Sequence, residues 1–73
     1  MKSFSYDIKE KIGTLSESED GVNRVEVNMI AWNDSTTIKL DIRRWSGEKM
    51  LKGISLSNEE VCKLKEILNQ LYE

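Results

Sequence analysis

Residues 39–56 read KLDIRRWSGEKMLKGISL, and this stretch decides how the chain is understood. Two strand-like runs, 39–45 and 50–56, flank a short polar connection at 46–49, the pattern of a hairpin. Alternation sorts the first run into two faces: Leu40 and Ile42 on one, Lys39, Asp41, Arg43 and Trp45 on the other. The apolar pair suits a core. A large indole in line with a guanidinium and an ammonium on the wet side suits something else. Unpaired bases stack on such a row while their phosphates meet positive charge.

Working outward, residues 4–15 alternate Phe4, Tyr6, Ile8 and Ile12 against Ser5, Asp7, Lys9 and Lys11, which predicts a long amphipathic strand. Leu15 breaks the parity just after Gly13, so a bulge or bend is expected there. SESEDG at 16–21 is a turn of small and acidic residues. Val25, Val27, Met29 and Ala31 then form an apolar row opposite Arg24, Glu26, Asn28, Ile30 and Trp32. That is a second strand, again with a tryptophan on its polar side. NDSTT at 33–37 is a loop.

Downstream of the hairpin, Ser57 and Glu60 fit a capping box, with Glu59 and Glu60 near the positive end of the helix dipole. Val61, Leu64, Leu68 and Leu71 recur at helical spacing, widened by Ile67 and Tyr72, and no glycine or proline interrupts 57–73. The expectation is an α+β fold: a four-stranded antiparallel meander followed by one C-terminal helix. The strands fall at about 4–15, 22–32, 38–45 and 50–56, the helix at about 58–72, in a single domain over 1–73.

Composition narrows the function classes. A chain of 73 residues with 38% hydrophobic content has little room for both a core and a buried active site, and oligomerisation is a common extra source of buried area at this size. The helix surface of Val61, Leu64, Ile67, Leu68 and Leu71 is broader than one small sheet needs, so it is the expected dimer contact. With no histidine, a His-based metal site or a Ser–His relay is excluded. The single Cys62 reads as a small apolar contact residue. No catalytic residue, cofactor or metal ligand is assigned. No apolar run approaches the roughly 20 residues a membrane span needs, and MKSFSYDIKE has no signal-peptide core, so a cytoplasmic location is expected, nucleoid-associated if the source is bacterial. Net charge is −2, pI about 5.2 and mean hydropathy −0.52. That average hides a polarity: residues 39–52 carry five bases (Lys39, Arg43, Arg44, Lys49, Lys52) against two acids (Asp41, Glu48).

DIRRW at 41–45, KGISL at 52–56, WND at 32–34 and the capped amphipathic helix resemble the PC4/p15 transcriptional coactivator family, in particular its short bacterial members. The resemblance covers nearly the whole chain. It implies a homodimer that binds single-stranded DNA on curved, concave sheet faces, with helices at the dimer contact and the transcription machinery as a further partner. By position it implies DNA contacts at Arg43, Trp45 and Lys52, with Trp32 near the second stacking aromatic. Lys39, Lys49, Arg24, Asn28, Lys9 and Lys11 complete the candidate contacts. Charged side chains on an outer sheet face are ordinarily just solvated, so Lys9, Lys11 and Arg24 stand open between solvent and DNA. Asp41 is read as a holder of Arg43 or Lys39. Two alternatives remain: single-stranded RNA as the ligand, and a protein-interaction module whose tryptophan-bearing sheet grips a partner peptide.

Overall fold

The computed structural model describes residues 5–33 and 36–72. It contains β1 (Tyr6–Glu17), β2 (Asn23–Trp32), β3 (Ile38–Ser46), β4 (Lys49–Leu56) and α1 (Asn58–Leu71). The strands form one antiparallel sheet in the order β1-β2-β3-β4, open and curved, as a meander with short turns requires. Phe4 and part of the 33–37 loop lie outside the described residues.

Each turn has a local cause. Between β1 and β2, the Ser18 hydroxyl donates to Asp20 Oδ1 (2.6 Å) and accepts from the Asn23 N–H, while Gly21 takes φ +74°. Between β3 and β4, Ser46 pairs with Lys49 around a two-residue loop whose first member, Gly47, has φ +60°. A positive φ at that position is what a tight hairpin of matching twist demands. Asn33 closes the far end of β2 onto the start of β1: its N–H donates to the Ser5 carbonyl (2.9 Å) and its side-chain oxygen accepts from the Ser5 N–H (3.1 Å).

β1 departs from simple alternation. Its register against β2 slips three times, leaving Lys9, Ile12 and Leu15 as extra residues, where the sequence signalled one irregularity near Gly13. Each bulge adds twist and bend. Cross-strand partners share a face, so Tyr6, Ile8, Lys11, Thr14 and Glu17 lie with Trp32, Ile30, Asn28, Glu26 and Arg24 of β2. On β3 the same face carries Lys39, Asp41, Arg43 and Trp45. We call this the inner face, because its side chains converge.

Two expectations are corrected here. Lys9 and Lys11 do not share a face: the first bulge sends Lys11 to the inner face, while Lys9 pairs with Asp7 at 2.7 Å. The second concerns burial. The row taken as wet holds four of the five buried residues among those described: Ile30 and Asp41 at 0%, Asn28 at 1% and Trp45 at 4% exposure. Of the outer apolar row only Ala31 is buried. Ile54 is exposed, and Val25, Val27, Met29, Leu40 and Ile42 are half-buried. Alternation assigns a face but not a depth. The bends of the sheet fold the inner side chains over one another, and the single helix covers little of the outer face.

α1 starts as its sequence dictates. The Ser57 hydroxyl accepts from the Glu60 N–H, and the Glu60 carboxylate accepts from the Ser57 N–H at 2.9 Å. The helix packs mainly against β3 and β4 and buries none of its residues: Val61 and Leu64 are half-covered, while Ile67, Leu68, Leu71 and Tyr72 are exposed.

Gly53 is the tightest point of the sheet. It faces Arg43, and a methyl placed there would overlap Arg43 Cβ and lie 2.6 Å from the Ile42 carbonyl oxygen. Gly13, in contrast, has open space around its Cα. Gly53→Ala is therefore expected to lower stability by about 3 kcal/mol, at the upper end of overpacking effects, and Gly13→Ala to change it by less than about 1 kcal/mol. Urea unfolding of the two variants in parallel checks this. Equal effects would show that β3 and β4 do not approach as described.

Candidate functional site

The inner face is organised by Asp41. Its carboxylate is fully buried and accepts from Arg43 Nε and Nη2, both at 2.7 Å, and from the Ser55 hydroxyl at 2.8 Å. Arg43 also donates Nη1–H to the Leu51 carbonyl at 3.1 Å. This reaches the β4 bulge, where the register slips between Arg43 and Trp45. The Ser55 hydroxyl in turn accepts from Trp32 Nε1–H at 2.9 Å, and the Arg43 guanidinium lies 4.9 Å from the centre of the Trp32 ring. One carboxylate thus fixes a cation and, through a serine, the indole beneath that cation. A guanidinium placed over an aromatic face gains a cation–π attraction.

Three rings meet on this face. Tyr6 stands 5.9 Å from Trp32 and 6.1 Å from Trp45, centre to centre, edge-on to the latter. Tyr6 is the exposed member at 39%. Sequence reasoning placed it on the apolar side of an amphipathic strand; only the register of β1 against β2 brings it beside both tryptophans. Ser55 was missed for a similar reason, since nothing local marks a serine that bridges two strands.

Arg24 does a different job. Its Nε–H donates to Glu26 at 2.6 Å, Nη1 to the carbonyls of Gly21 and Val22, and Nη2 to the Gly47 carbonyl at 2.9 Å. It clamps the two hairpin turns at one end of the sheet. Burial opposes ionisation of Glu26, but hydrogen bonds from Arg24 and Asn28 and the charges of Arg24 and Lys11 outweigh it, so the carboxyl sits below its ordinary range. A cavity of about 380 Å³ opens beside this clamp, bordered by Tyr6, Lys11, Arg24, Glu26 and Trp45.

The remaining candidates divide by place. Lys39 lies on the inner face opposite Ile30, exposed, near Trp32. Lys49 begins β4 beside the hairpin loop, and Lys52 lies in the bulge before Gly53; both are exposed. Lys11, Lys39, Lys49 and Lys52 have no carboxylate within ion-pair distance among the described residues, whereas Arg24, Arg43 and Lys9 do. Among the described residues no cluster of acids and thiols is placed to hold a metal ion, and no helix is long and apolar enough to cross a membrane.

Comparison with known proteins agrees with this geometry. Residues 20–67 match the family model described as transcriptional coactivator p15 (PC4). The chain belongs to that family. An uncharacterized protein of Treponema pallidum (strain Nichols) is 39% identical over 70 residues, covering 93% of this chain and 80% of the relative. The matched segment takes in β2, β3, β4 and most of α1, but not β1. Tyr6 and Lys11 therefore lie outside what the family model describes.

Two outcomes follow from the ion pairs. Asp41→Asn leaves the half-buried Arg43 without its counter-charge and should cost about 3 kcal/mol in chemical denaturation, the lower end for breaking a buried pair. For Glu26, a carboxyl lowered in the folded state contributes stability that is fully present above its unfolded value, near 4.5, and lost as pH falls through the folded value. Glu26→Gln should accordingly flatten the acid limb of the stability–pH curve below about 4.5 relative to wild type. An unchanged acid limb would show that the Arg24–Glu26 pair carries no such linkage.

Proposed function

We propose that the protein binds single-stranded DNA along the inner face, with weak sequence preference, and acts in transcription or DNA maintenance. One observation carries the reading: Tyr6, Trp32 and Trp45 gather on the face where Arg43 is stacked and Lys11 and Lys39 stand at the margins. Aromatic rings take bases of any identity, each contact contributing on the order of 1–3 kcal/mol, while lysines track the phosphates. Membership of a transcriptional coactivator family supports the same reading. The cations divide their work. Arg43, its charge matched by Asp41, contributes as a planar stacking group; Lys11, Lys39, Lys49 and Lys52 supply charge to phosphates.

The binding unit is a homodimer formed through α1 and the outer face. The accessible surface is 5947 Å², against roughly 4,700 Å² for a compact monomer of this mass. The radius of gyration is 13.7 Å, where about 11 Å is usual for this length. The excess resides in apolar positions such as Ile54, Ile67, Leu68 and Leu71, which a second copy would cover.

Fluorescence anisotropy with labelled single-stranded DNA, duplex DNA and RNA at several salt concentrations tests the reading. Single strands should bind more tightly than duplex, and affinity should fall steeply with salt. Lys39→Gln should reduce the slope of log affinity on log salt by about 0.7, the value of one single-strand phosphate contact. A salt-insensitive partner would favour the peptide-binding alternative. The dimer is tested separately: Leu68→Glu should shift sedimentation toward monomer or unfolded chain, and a wild type that sediments as a monomer would refute it.

A further inference from the structure

Ser55 uses its hydroxyl twice. It donates to Asp41 Oδ1 at 2.8 Å and accepts the Nε1–H of Trp32 at 2.9 Å. A hydroxyl can do both at once, whereas an indole N–H only donates, so the partners fix both directions. The second bond is a long reach. Ser55 lies on β4 opposite Asp41 of β3, while Trp32 is the last residue of β2. The indole therefore crosses β3 on its way from β2 to β4, with the Arg43 guanidinium 4.9 Å from the ring centre. From β1, Tyr6 pairs with Trp32 and stands 5.9 Å from it, ring to ring. The far end of the indole is tied to an edge strand by the Ser55 hydroxyl.

We propose that Ser55 is a positioning residue for the ligand: it touches no ligand itself, and it sets affinity by latching the Trp32 indole across the sheet; the proposal rests on the single-strand reading above. Trp32 is half-buried and adjoins the 33–37 loop, so its ring is not locked by packing alone. Without the latch the ring gains orientations that binding must remove again. Immobilising one such side chain on binding lowers affinity about two- to ten-fold. Alanine at position 55 can neither accept nor donate. Threonine keeps the hydroxyl, and cysteine offers only a weak donor and acceptor of similar size. The latch acts on the ring through its N–H, and that is what separates it from a general contribution to the fold.

A double-mutant cycle tests this, because it isolates action through the indole N–H from any effect of Ser55 on Asp41 or on stability. Affinity for a labelled oligothymidine is measured by fluorescence anisotropy in wild type, Ser55→Ala, Trp32→Phe and the double variant, each checked for folding by circular dichroism. Phenylalanine keeps a ring but has no N–H to tie. Ser55→Ala should weaken binding about five-fold beside Trp32 and less than about two-fold in the Trp32→Phe background. The salt slope should stay unchanged, since no phosphate contact is lost. Ser55→Thr should bind like wild type, and Ser55→Cys should fall between and takes the place of Ser55→Ala in the cycle if that variant does not fold. Proton–nitrogen spectra give a second readout: the Trp32 indole N–H, assigned with Trp32→Phe, should exchange with solvent faster in Ser55→Ala than in wild type or Ser55→Thr. Equal losses in both backgrounds, or a Ser55→Ala protein that binds like wild type, overturn the positioning role and leave the single-strand reading standing. A wild type that binds no single strand overturns both.

Discussion

A carboxylate with no access to water holds the inner face together. Asp41 is tolerable in that position because three donors meet it: two from Arg43 and one from Ser55. A buried charge without such partners would be strongly destabilising. The same bonds decide where the Arg43 guanidinium lies and, through Ser55, how the Trp32 indole is turned. The proposed binding surface is therefore set before any ligand arrives, and preorganised side chains lose less freedom on binding.

The curvature that makes this face also leaves the other one unfinished. Three bulges bend β1, and the Arg43–Gly53 approach lets β4 close against β3. Side chains gathered on the inner side form a small polar–aromatic core in which Ile30 is the one large aliphatic member buried completely. The ordinary hydrophobic material, from Val25 and Ile42 to Leu68 and Leu71, is left half-covered or bare by a single short helix. At this length one helix leaves much of the outer face uncovered. The proposed second copy would cover the outer face and leave the aromatic faces free for a strand.

Much of the architecture was legible because local chemistry dictates it. The capping box of Ser57 and Glu60, the glycine at the Ser46–Lys49 turn and the alternation along β2 and β3 each act within a few residues. What could not be read is what depends on strands meeting. The extra residues Lys9, Ile12 and Leu15 look like ordinary alternation with one fault until β2 fixes the register. Trp45 has the right face in the sequence, but its depth depends on neighbours such as Tyr6, which β1 brings beside it. Arg24 read as a free cation, and only the fold shows that Glu26 neutralises it, whereas Asp41, read as a holder of Arg43 or Lys39, does hold Arg43.

The account stands or falls on which face of the sheet a strand occupies. Backbone amide shift mapping of the intact protein with a saturating single-stranded oligonucleotide addresses this most directly. The account predicts the largest perturbations along the inner-face positions of β1, β2 and β3, around Tyr6, Lys11, Trp32, Lys39 and Trp45, with the outer face and α1 nearly unmoved. Perturbations centred instead on Val27, Ile54 and the exposed stripe of α1 would contradict it.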